Sequence, residues 1–144
     1  MQGNIDPEVL NPRQYFDFLN QVINENKVIG CVFVRRVISS IFYALFNYWG
    51  AKRYKSGKKG SGPNGDSYRL DDFFKELSGK GLGYAIYEIF VHRVAADHYV
   101  LNPNRISIWV RPWKGLQDDV EISRDKLSEL LVYAYEILDY LENK

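Results

Sequence analysis

His92 and His98, the only two histidines of the chain, stand in the octapeptide HRVAADHY with Arg93 and Asp97 between them. An imidazole titrates near neutrality and can give or take a proton, and a guanidinium stabilises charge gathering on a phosphorus under attack. Together, Arg93 and His98 suit metal-free cleavage of RNA, in which the 2′-hydroxyl attacks the adjacent phosphate. Asp97 follows Arg93 by one helical turn and can pair with it. On a regular helix the five steps from Arg93 to His98 turn about 500°, which leaves their side chains about 140° apart. They converge on one ligand if the helix loosens at its end or if two copies of the chain meet. Two histidines six positions apart, with no cysteine near them, match no standard zinc pattern, and no nucleophilic serine or cysteine motif accompanies them. The competing reading is structural: an Arg93–Asp97 surface ion pair, with His92 and His98 as amphipathic residues on a helix end.

These residues need a scaffold, and the apolar spacing supplies one. Asn11 caps, and Pro12 opens, a helix over about 12–25 in which Tyr15, Phe18, Leu19, Val22 and Ile23 share a face. The longest helix follows Gly30, with Val34, Val37, Ile38, Ile41, Ala44, Leu45, Tyr48 and Trp49 as its apolar stripe. Arg36, Ser40, Tyr43 and Asn47 form a narrower polar stripe, while Phe33, Phe42 and Phe46 broaden the apolar surface. Such a helix belongs at the centre of a bundle or in an oligomer interface. RLDDFFKELSG is a short helix ended by Gly79, and a further helix runs over about 82–99, stopping before Pro103. RISIWVRPW alternates in the manner of a strand or hairpin arm, and a last helix starts at Ser123. The expected architecture is all-α: a single domain over 1–144, an up-and-down bundle of four to five helices with a short extended excursion before the last.

A length of 144 residues with 46% hydrophobic content is ample for one core. Cys31 lies alone in an apolar run, which predicts a packed thiol in a reducing cytoplasm. No apolar run approaches membrane-spanning length. Charge is uneven: residues 1–115 hold 16 Lys+Arg and 10 Asp+Glu, residues 116–144 hold 3 and 8, giving +6 and −5. No acid occurs from Asn26 to Gly65, a stretch that carries Lys27, Arg35, Arg36, Lys52, Arg53, Lys55, Lys58 and Lys59. That asymmetry favours a polyanionic partner, with Lys52, Arg53, Lys55, Lys58 and Lys59 as candidate RNA contacts. The glycine- and lysine-rich segment 55–67 is expected to be a flexible, unpacked loop. It lacks the residue order of a phosphate-binding loop, and no strand precedes it.

Two segments resemble the HEPN family, the higher eukaryotes and prokaryotes nucleotide-binding domain. SSIFYALFNYW, Ser39 to Trp49, is similar to that family's long second helix: Phe42, Tyr43, Ala44 and Phe46 match its order of aromatics and alanine, and Ser40 stands where an arginine is frequent. RVAADHY, Arg93 to Tyr99, looks like its motif of an arginine, four to six residues and a histidine, although Val94 occupies a position that is usually polar. The resemblance implies a dimerising helical bundle that brings two motifs together, with Arg93 and His98 as the catalytic pair of a metal-independent endoribonuclease of toxin or defence type. Asp97, Arg36, Ser40 and Asn47 would support them, and neither metal nor cofactor would be required. It also implies an alternative: a non-catalytic module that binds a nucleotide or a protein such as a small nucleotidyltransferase.

Overall fold

A computed structural model describes residues 6–26 and 29–144; Lys27, part of the acid-free stretch, lies outside them. Five α-helices account for most of the chain: α1 (Arg13–Glu25), α2 (Cys31–Lys55), α3 (Leu70–Gly79), α4 (Gly83–His98) and α5 (Arg124–Glu142). A short 3-10 helix, Pro7–Leu10, precedes them. Between α4 and α5 the excursion is an antiparallel hairpin, β1 (Arg105–Ile108) with β2 (Gly115–Asp118), in which Arg105 pairs with Asp118 and Ile108 with Gly115. The fold is therefore a helical bundle with a small sheet added rather than purely α-helical.

α2 packs against both α4 and α5, which also pack against each other. Its 3.6-residue period turns Val34, Val37, Ile38, Ile41, Leu45, Tyr48 and Trp49 inward, and all are buried. Phe42 is also fully buried, among Phe73, Phe74 and Phe90. Of the two places expected for so apolar a helix, the centre of a bundle and an oligomer interface, the first accounts for most of its surface within one chain; Val32, Phe33 and Tyr43 are the large apolar residues of α2 that stay exposed.

Three further expectations are corrected. In α1 the core contacts are Phe16, Leu19 and Ile23, whereas Tyr15 and Phe18 are exposed, so the buried face is rotated from the one the sequence suggests. Cys31 is exposed, because it occupies the first position of α2, ahead of the helix's buried stretch. Segment 55–67 is exposed but not featureless. It folds into a miniature hairpin in which Ser61 and Ser67 exchange backbone hydrogen bonds and the Gly60 N–H donates to Gly65 O at 2.7 Å. A Cβ on Gly60 would fall 2.0 Å from the Ser67 carbonyl oxygen, so only glycine fits there.

Asn11 Oδ1 accepts the Arg13 N–H at the start of α1, and Ser123 Oγ accepts the Lys126 N–H at the start of α5. On the hairpin, Ile106 and Ile108 point into the core, and Tyr99 Oη accepts the Ser107 N–H at 2.9 Å. Of the helices described, none is long and apolar enough to cross a membrane.

Candidate functional site at the end of helix 4

Arg93 sits on the last turns of α4 where that helix crosses α2. Its Nε donates to Asp97 Oδ2 at 2.9 Å, and the same oxygen accepts the Ser39 hydroxyl of α2 at 3.2 Å. The guanidinium carbon lies 5.0 Å from the Tyr43 ring centroid and 5.8 Å from those of Phe42 and Phe90. Carboxylate and aromatic faces both favour the cation, and together they fix a side chain that is only 12% exposed. The two Nη groups donate to no protein group among the described residues, so their hydrogens remain available to an anion.

His98 is the final residue of α4 and is exposed. The helix does not loosen before it, since the Tyr99 N–H still donates to Ala95 O at 3.1 Å. Of the two routes by which Arg93 and His98 could converge, only the meeting of two chains is left by this geometry.

The end of α4 is held by Arg35 of α2, a residue to which sequence reasoning gave no role. Its Nη1 donates to the carbonyls of Ala96 at 3.1 Å and Tyr99 at 2.5 Å, and its Nη2 to Val100 O at 3.3 Å and Asn102 Oδ1 at 3.2 Å. A cation on the last carbonyls satisfies acceptors that have no intrahelical partner and offsets the negative end of the helix dipole. The partners lie more than sixty positions away in sequence, so no local signal announces them.

His92 departs from both readings of the octapeptide. It is fully buried, with Nδ1 2.7 Å from Glu88 O and Nε2 accepting the Glu121 N–H at 3.2 Å. The second contact makes Nε2 the unprotonated nitrogen and Nδ1 the donor to Glu88 O. Burial lowers its pKa, more than the nearby Glu88 raises it. It is a core residue tying α4 to the segment ahead of α5, not an amphipathic residue of a helix end.

The remaining candidates divide. Arg36 and Asp97 share the walls of a shallow cleft of about 180 Å³ with Val32, Arg35 and Ala96. Ser40 donates to Val37 O at 2.8 Å and meets the Tyr15 hydroxyl at 2.5 Å. Asn47 is exposed two turns further along α2, about 10 Å from Ser40 by helix rise. Lys52 donates to Leu141 O at 2.7 Å, capping α5, and Arg53 pairs with Glu76 at 3.3 Å while lying over Trp49. Lys55, Lys58 and Lys59 are exposed. Among the described residues no group of three His, Cys, Asp or Glu is placed to hold a metal ion.

Compared with known proteins, the chain matches no family model, no curated protein and no solved structure.

Proposed function

We propose that this chain is a metal-independent endoribonuclease of HEPN type, acting as a homodimer whose cleft combines Arg93 and His98 from two copies. The observation that carries this reading is the state of Arg93: a guanidinium clamped through Nε by Asp97 and by Tyr43, with its Nη donors uncommitted. The clamp fixes the direction in which those donors point, and His98 of a second copy would supply the proton-transfer group beside them. In the cleft, Arg93 would stabilise the charge on the attacked phosphate while His98 moves a proton to or from the 2′-hydroxyl or the leaving oxygen. Arg36 and the exposed lysines of segment 55–67 would follow the backbone of the strand. Val32, Val100 and Leu101, all strongly exposed at this end of the bundle, supply apolar surface for the second copy.

A protein-binding role is favoured by a different observation. The outer face of α5 carries Asp125, Glu129, Glu136 and Asp139 around an exposed Val132, a surface suited to a basic partner such as a nucleotidyltransferase. Incubating pure protein with mixed RNA in excess chelator separates the two. Cleavage that leaves cyclic-phosphate ends supports the nuclease, and intact RNA alongside wild-type folding refutes it.

A further inference from the structure

On the same side of α2 as Asn47, but away from the Arg93 corner, lies a second concavity of about 280 Å³. Phe46, Tyr54 and Tyr68 give it aromatic walls with Leu10 as the one aliphatic side chain among them, Gly50 and Ala51 leave room in its floor, and Asn47 and Asp66 are its polar groups. The walls are set by packing. Phe46 stacks on Trp49 at 5.7 Å between centroids, and Tyr68 meets Trp49 edge-on at 5.6 Å and donates its hydroxyl to Lys58 O. A Cβ at position 50 would come within 3.3 Å of the Tyr68 ring. The carboxylate is delivered by the glycine hairpin, whose backbone hydrogen bonds close just beside Asp66. Neither Asp66 nor Asn47 spends its side chain on a hydrogen bond to another described residue, and the Lys59 ammonium lies at the margin, 5.2 Å from the Tyr54 ring centroid.

We infer that this pocket binds a guanine base, with the attached phosphate directed toward Lys59 and its neighbours Lys55 and Lys58. Aromatic walls and a small-residue floor suit a planar ring rather than a branched aliphatic group. The carboxylate selects among rings. Guanine presents two adjacent donors, N1–H and N2–H, which the two oxygens of Asp66 can accept together. Adenine and cytosine place a ring-nitrogen acceptor beside a single amino group, and uracil flanks one N–H with carbonyl oxygens, so each would set lone pairs against the carboxylate. Asn47 adds an amide that can donate to the guanine carbonyl. The lysines are mismatched to a cationic ligand and matched to a phosphate, which rules the choice between an amine and a nucleotide.

The base could arrive on a free nucleotide or on a single strand of RNA. An RNA source rests on the reading proposed above; the base site itself does not. The polar line Arg36, Ser40, Tyr43 and Asn47 runs along α2 from the Arg93 corner to the pocket, so one strand could occupy both.

Calorimetric titration in excess chelator of intact protein with GMP, AMP, UMP and inorganic phosphate tests it. GMP should bind at least tenfold tighter than the other three, and Asp66→Asn should erase that preference while leaving folding intact. Ala51→Leu, which fills the floor, should abolish GMP binding without touching a polar group. Equal binding of all three nucleotides, binding of phosphate alone as tightly as GMP, or a guanine preference that survives Asp66→Asn would overturn the inference. Repeating the titration with His98→Ala protein and pentanucleotides, with and without one guanosine, identifies the source. Tighter binding of the guanosine strand than of GMP assigns the base to RNA, the reverse assigns a free nucleotide, and either supports the site. Because no arm depends on cleavage, an inactive protein that binds GMP refutes the nuclease and keeps the pocket.

Discussion

The buried imidazole of His92 holds the backbone N–H of Glu121 at 3.2 Å, joining α4 to the turn that leads into α5 across 29 positions of sequence. A neutral ring is required, because protonated Nε2 could not accept.

Stability should therefore fall in mild acid. The folded pKa of His92 lies below its ordinary 6.5, chiefly through burial, so the unfolded chain takes up a proton that the folded chain resists. That contribution is fully present above about pH 6.5 and is lost as the pH drops toward the depressed folded value. His92→Ala should cost roughly 2–4 kcal/mol, from the cavity and the stranded Glu121 donor, and should flatten the pH dependence. Urea unfolding of both proteins between pH 5 and 8, set by the range of histidine titration, reads both effects.

A second acid transition belongs to Glu76. Burial pushes its carboxyl up, but hydrogen bonds from Lys144, Trp49 and Tyr140 outweigh it and bring the pKa to about 2. A depressed carboxylate stabilises the fold above its ordinary 4.5 and loses that contribution as the pH falls to about 2. Glu76→Gln should remove up to about 3 kcal/mol at neutral pH and less as acidity rises. Parallel slopes for the two proteins below pH 4.5 would contradict it.

Mixing separates a shared cleft from two independent ones. Arg93→Lys and His98→Ala should each lower RNA cleavage on the order of a hundredfold or more. Combining the two inactive variants should restore measurable activity, since a mixed dimer retains one wild-type copy of each group. Additive inactivity after subunit exchange would count against a composite site.

The cations of the acid-free stretch should sort by environment. Neutralising Lys55, Lys58 and Lys59 together should weaken RNA binding and reduce its salt slope by about three, with little effect on stability. Lys52→Met should instead cost about 1 kcal/mol of stability by uncapping α5. RNA titrations at several salt concentrations, beside thermal melts, distinguish them.

Much of the fold is legible in the sequence because helices announce themselves through neighbours three and four positions apart. That is why the bounds of α1, α4 and α5, and the Ser123 cap, can be read directly. Burial is harder, because it depends on what arrives from elsewhere. Nothing within a few residues of His92 says that Glu121 will close over it. The buried face of α1 is not legible because Tyr15, Phe16, Phe18 and Leu19 are all apolar, and only packing decides which of them face α5. Arg93 and Asp97 could be paired on paper from their spacing, whereas Ser39, Tyr43 and Arg35 join them from another helix. The pocket beside Asn47 was invisible for the same reason: its walls come from α2 and Tyr68, and its carboxylate from a hairpin that reads as a loop.

Arg35 has a mechanical consequence. It fastens the terminal carbonyls of α4 to the first turns of α2, and Ser39 and Tyr43 grip Asp97 and Arg93 a little further along. The last turn of α4 is thereby riveted at several points to one stretch of a single rigid rod. Whatever presses on Val32 or Arg36 at the exposed start of that rod shifts His98 and Arg93 in step rather than separately. Alignment between the two groups within one chain is then insensitive to how firmly a neighbour is engaged, and in the proposed homodimer engagement would tune only the distance from one copy's His98 to the other's Arg93.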